Sequence, residues 1–167
     1  MAQWEAPQEK IDKHAALRAS LLLHDFTDVG VRILSEHAVQ RTVGRGTYAF
    51  RAGEASEALA FVAKGTLQLV PRDGGASLAE VKAGDTLGGM SLLVEGEHLL
   101  SAIALNDVEL LQLPRPAFDK LKETHPRTAL KLTLALAEDL AERLREAKGP
   151  LREFLVWQIS KRQSENR

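Results

Sequence analysis

At 167 residues, with no cysteine and 22 basic against 23 acidic side chains, the chain suits one self-supporting domain with no general electrostatic pull toward nucleic acid. The absence of cysteine excludes a disulfide framework and a thiolate metal site and points to a reducing compartment, so a cytoplasmic protein is expected. Met1 to Lys10 is polar, and no stretch approaches the roughly 20 apolar residues of a membrane helix, so neither export nor membrane insertion is expected.

From Glu9 to Leu23 the apolar residues Ile11, Ala15, Leu17, Leu21 and Leu22 recur near helical spacing, which predicts an N-terminal amphipathic helix. A shorter helix is predicted after Phe26, with Thr27 as N-cap and Val29, Ile33 and Leu34 along one face. Between Ala38 and Leu113 the pattern changes to short β-prone runs, 38–43, 59–62, 66–70 and 108–113, separated by glycines, as in a sandwich or barrel. Asp73-Gly74 marks a hairpin. Helix signals return at Pro116, pause at His125-Pro126, and continue over 128–147 until Gly149-Pro150. A last helical piece is expected over 151–160. The fold class is therefore mainly β with flanking helices.

The strand-rich part carries a spaced series of motifs. Gly46 is followed by Phe50-Arg51-Ala52-Gly53-Glu54, then Phe61-Val62-Ala63-Lys64-Gly65, Ala83-Gly84-Asp85, Leu87-Gly88 and Asp107-Val108-Glu109-Leu110-Leu111, and Pro116-Ala117-Phe118 opens a helix. In that order and spacing the chain resembles the cyclic-nucleotide-binding domain of catabolite-activator-type regulators, kinase regulatory subunits and gated channels, over about Leu22 to Glu146. The resemblance implies an eight-stranded double-stranded β-helix, jelly-roll-like, with N-terminal helices and a long C-terminal helix. It divides the chain into an N-terminal extension (1–21), the binding-type domain (22–147) and a short C-terminal helix and tail (148–167).

The family's phosphate-binding cassette reads Phe-Gly-Glu, a short apolar turn, then Pro-Arg-Ala-Ala-Thr. Here it corresponds to Leu87-Gly88-Gly89-Met90-Ser91-Leu92-Leu93 and Glu97-His98-Leu99-Leu100-Ser101. By resemblance, the family's Glu holds the ribose hydroxyl and its Arg pairs with the cyclic phosphate. Gly89 and His98 stand in those two places, while Leu99 and Leu100 replace two alanines and make the pocket smaller and more apolar. Ser101 keeps the hydroxyl, and Gly88, Met90 and Ser91 are expected to present backbone amides. A hydrogen bond to a charged group contributes about 1.5–3 kcal/mol, so losing two weakens binding by about two to four decades. Weak or no affinity for cyclic AMP and cyclic GMP is expected, and no other cofactor. A pocket filled for purely structural reasons is the equal alternative.

On the long helix, Leu130, Leu134, Ala137, Ala141 and Leu144 follow 3-4 spacing, with Leu132, Leu136 and Leu140 as a second row. Two apolar rows exceed what one barrel contact requires. Homodimerisation over 128–147 is expected, through Leu130, Leu134, Ala137, Leu140, Ala141 and Leu144. After Pro150 only 17 residues follow, where the bacterial transcription factors carry a winged helix, so no DNA reading is expected of this chain alone. The apolar piece 151–160 is a candidate protein contact. His14, His24, His37, His98 and His125 show no metal-ligand spacing, which disfavours a cupin-type metal enzyme. Ser91 and Ser101 lack the setting of an activated nucleophile. The expected function is that of a bacterial regulatory domain without catalysis, signalling through its C-terminal helix or a protein partner, with a ligand-free interaction scaffold as the alternative.

Overall fold

The computed structural model describes residues 10–147 and Gly149. Eight strands form two antiparallel four-stranded sheets. They are β1 (Val39–Val43), β2 (Tyr48–Phe50), β3 (Ala58–Lys64), β4 (Thr66–Val70), β5 (Ala79–Lys82), β6 (Thr86–Leu87), β7 (Ser101–Ala104) and β8 (Val108–Pro114). One sheet has the order β1-β8-β3-β6 and the other β2-β7-β4-β5. Helices α1 (Lys13–Arg18) and α2 (Asp28–His37) precede the roll, and α3 (Arg115–Thr124) and α4 (Pro126–Glu146) follow it. This is the mainly β roll with flanking helices that the motif order implied.

The central strands explain the architecture. Along β3 and β8, paired in register from Leu59 against Leu113 to Val62 against Leu110, successive side chains enter opposite cores. Leu59, Phe61, Leu111 and Leu113 face the helices, while Ala60, Val62, Leu110 and Val108 fill the roll. A strand buried on both faces reads as a continuous apolar run rather than an alternation, which is how 59–62 and 108–113 stand out in the sequence. The Asp73-Gly74 turn joins β4 to β5, with Gly74 at φ 76°.

Two helical expectations are corrected. The predicted helix over 9–23 is confined to α1, capped by Asp12 accepting from the Ala15 amide, and is followed by a separate 3-10 turn at Leu21–Leu23. The Leu21 amide donates to the Gly84 carbonyl at 3.1 Å, so a tertiary bond to the roll replaces helix continuation. In α2 the cap is Thr27 as expected, its hydroxyl accepting from the Gly30 amide at 3.2 Å, but the fully buried face is Val31 and Leu34 while Val29 is exposed.

Helix α4 lies with Ala129, Leu132 and Leu136 buried in the helix-side core, beside Leu17, Leu23, Phe118 and Leu121. Its other row, Leu130, Leu134, Ala137, Ala141 and Leu144, is exposed, and Leu140 is half-buried at the margin. The two apolar rows are thus divided between the domain's own core and solvent. Among the described residues no helix is long and apolar enough to cross a membrane. The expected helix at 151–160 lies outside the described residues.

Candidate functional site

Past β6 the chain reverses at Gly88, which sits at φ 69°. A β-carbon there would come within 2.6 Å of the Ala58 carbonyl oxygen, so both the left-handed conformation and the close approach require glycine. A short 3-10 turn, Gly89–Leu92, follows. Ser91 is buried; its amide donates to the Gly88 carbonyl at 3.0 Å and its hydroxyl donates to the same oxygen. The Ser91 amide, expected from sequence to face a ligand, is thus used to close the turn.

The second half of the cassette is pinned by backbone pairing to the turn after β2. The His98 amide donates to the Glu54 carbonyl and the Gly53 amide to the His98 carbonyl, both at 2.8 Å, and the Ser56 amide reaches the Gly96 carbonyl at 2.9 Å. Buried Ser101 accepts from the Ala52 amide at 2.9 Å. Gly88, Gly89, Met90, His98, Leu99 and Leu100 come together around one cavity of about 330 Å³, closed on its far side by Leu136, Asp139, Leu140 and Arg143 of α4. Ser91 and Ser101 do not line this cavity.

Two features decide its chemistry. A β-carbon on Gly89 would lie 2.9 Å from Cδ2 of buried Leu136, so a side chain at this position requires the end of that leucine on the C-terminal helix to move. His98, half-buried, stacks on Phe50 with ring centroids 3.7 Å apart and planes at 9°. Its pKa lies below the ordinary 6.5 because burial disfavours the charged ring, an effect partly opposed by the nearby Glu54 carboxylate. The imidazole is therefore neutral at pH 7 and brings no positive charge to the pocket.

A stability consequence follows. Between pH 6.5 and the lower folded-state pKa, the unfolded chain holds a proton at His98 that the folded domain does not, so stability falls as pH falls through that window. Replacing His98 by Phe keeps the ring and removes the titration. The melting temperature of H98F is expected to drop less between pH 7.5 and 5.5 than that of the wild type; equal drops would contradict the account.

Arg115, which sequence reasoning passed over, ties the cassette to the helical segment. Its guanidinium Nη2 donates to the Ser91 carbonyl and, at 2.7 Å, to the Val94 carbonyl, and its Nη1 lies 3.6 Å from the Glu95 carboxylate. The Arg115 amide donates to the Glu57 carbonyl at 2.9 Å. The first residue of α3 thus holds the end of the cassette turn, and the only sequence signal was an arginine between two prolines at a strand-to-helix corner. Among the described residues no group of His, Asp and Glu comes together that could hold a metal ion.

The family model described as the cyclic nucleotide-binding domain matches residues 40–125. Among curated proteins, the cyclic AMP receptor protein of Thermus thermophilus is 35% identical over 134 residues, covering 78% of this chain and 60% of that protein. A lysophospholipase of Neurospora crassa is 34% identical over 98 residues, 57% of this chain but 6% of the enzyme. The chain therefore spans less than two thirds of the curated relatives it matches. The N-terminal domain of a transcriptional regulator from Streptomyces coelicolor superposes with TM-score 0.70 at 26% identity, over 80% of this chain and 98% of that structure. The Thermus thermophilus catabolite activator protein gives 0.68 at 34% identity, over 81% of this chain and 62% of its own. With the roll, the cassette turn and the family model in agreement, the chain belongs to the cyclic nucleotide-binding domain family.

Proposed function

We propose that this domain is a non-catalytic regulatory module whose cassette has lost the charge chemistry for cyclic nucleotides, and whose output runs through the C-terminal helix. The observation that carries this reading is the substitution of the pocket's two gripping positions by a glycine packed against Leu136 and a neutral, stacked His98. The residues present do not fit a cyclic phosphate. The cationic side chain in the cavity wall, Arg143, is already paired with Asp139 at 2.9 Å.

Leu136 and Leu140 connect the pocket to α4 directly, and Arg115 connects the cassette turn to α3. Any change in the cassette is thereby passed to the helices at two points. The exposed row of α4 offers the receiving surface: Leu130, Leu134, Ala137, Ala141 and Leu144 repeat at the 4-3-4-3 spacing of a two-stranded seam, with small alanines at its centre. A second copy of the chain is the proposed occupant, in a cytoplasmic bacterial setting. The matched lysophospholipases share only this domain-sized region, so no hydrolytic chemistry is assigned here.

Thermal shift tests the reading. A ligand that binds only the folded state stabilises it by about 2.7 kcal/mol at 100 times its Kd. Cyclic AMP or cyclic GMP at 0.1 mM, on the order of 100 times a micromolar Kd, is expected to leave the melting temperature unchanged, whereas a rise of several degrees with either would contradict the reading.

A further inference from the structure

We propose that the cavity between the cassette and α4 binds an uncharged, flat, apolar small molecule, held between the stacked Phe50–His98 pair and Leu136 and Leu140. This rests on the preceding reading, in which the cavity has lost its affinity for a cyclic phosphate, and it names what takes the nucleotide's place.

The volume, about 330 Å³, falls at the small end of the 300–1,000 Å³ typical of ligand sites. Its walls are apolar on three sides. Leu69 and Leu87 come from the roll, Leu93 and Leu100 from the cassette, and Leu136 and Leu140 from α4. Phe50 and His98 add a rigid aromatic wall against which a planar ring gains an aromatic contact beyond simple burial.

The charges at the rim select against an anion. Asp139 and Arg143 neutralise each other, and Glu97 adds a negative group. A phosphate or carboxylate entering this space would lose its hydration with no free positive partner among the described residues of the wall, whereas a neutral ring would lose little. A cation would have to leave water for leucine walls, with Glu97 exposed at the edge as its nearest compensation.

The mouth of the cavity shows the same preference. Met90 and Leu99 are exposed, Leu99 at 86%, and Leu93 is partly so, all within the cassette. Single exposed apolar residues are ordinary, but several around one apolar opening mark a binding surface. Because Leu136 and Leu140 belong to α4, a molecule lodged here would touch the roll and the output helix at once. Its occupancy would then fix the helix against the cassette.

The test titrates the full chain with N-phenyl-1-naphthylamine, a neutral fluorophore, and in parallel with 8-anilino-1-naphthalenesulfonate, which carries the same ring body and an anionic group. A saturable fluorescence rise of one probe per chain is expected with the neutral compound, with affinity at least tenfold above that of the sulfonate. Leu140→Gln and Leu100→Gln, each checked for an intact circular dichroism melt, are expected to weaken the neutral probe at least tenfold. Leu78→Gln, at an exposed leucine just before β5 that does not line the cavity, is expected to leave it unchanged. Absence of saturable binding, equal affinity for both probes, or indifference to both pocket variants would overturn the proposal. Displacement of the probe by micromolar cyclic AMP would instead overturn the reading beneath it.

Discussion

Replacing His98 by Arg is expected to raise the affinity of the domain for cyclic AMP by roughly 10- to 100-fold in calorimetry. The residue lines the pocket and its backbone is fixed on both sides by the turn at Gly53 and Glu54, so a guanidinium there would start from the correct place in the fold. A bidentate contact to a phosphate is geometrically specific, and a hydrogen bond to a charged group contributes about 1.5–3 kcal/mol, which sets the range. Gly89→Glu added alone is expected to contribute nothing or to destabilise, because its β-carbon meets Leu136 at 2.9 Å. Combining it with Leu136→Ala makes room, at a cost of about 2–5 kcal/mol in folding stability for the deleted core side chain. The order of effects is the informative part. An H98R protein with unchanged affinity would show that shape, and not missing charge, excludes the nucleotide.

Leu134→Glu is expected to convert a dimer at micromolar concentration into a monomer in sedimentation. The side chain is 53% exposed in the single chain, so the substitution should change monomer stability by no more than about 0.5 kcal/mol. In a paired helix, the same leucine from each copy would be buried at about 1.5–3 kcal/mol apiece, so loss of both weakens association by about two to four decades. The introduced carboxylates would also face each other across the symmetry axis. A wild-type chain that sediments as a strict monomer at micromolar concentration would remove the seam altogether.

Much of the fold is legible in the sequence because its physical causes are local or strongly patterned. The runs of β3 and β8 are continuous because both faces of those strands are buried. Several glycines fall at corners that take a positive φ, and at Gly65 and Gly88 a β-carbon would also come within 2.5 and 2.6 Å of a backbone oxygen. By contrast, β2 with three residues and β6 with two are too short to show a period, and only pairing to β7 and β3 makes them strands. The N-terminal helix is shorter than its repeat of apolar residues suggests, because that repeat says nothing of the bond from Leu21 to Gly84.

The candidate site divides in the same way. The register of the cassette can be read from Gly88 to Ser101, since its landmarks are contiguous. What covers it cannot, because Leu136 reaches Gly89 only through the packing of α4 on the roll. In the sequence Gly89 is only the absence of the family's carboxylate; in the structure the position also has a steric partner in Leu136. Nor could spacing reveal that Arg115 bonds to carbonyls of the cassette turn, since backbone oxygens leave no mark in a sequence.

The wild-type domain's response to cyclic nucleotides is measured directly by isothermal titration calorimetry of the full chain with cyclic AMP and cyclic GMP. No saturable heat is expected at micromolar ligand, with any dissociation constant displaced by about two to four decades from the micromolar range. A dissociation constant of a few micromolar or tighter for either nucleotide would contradict this expectation.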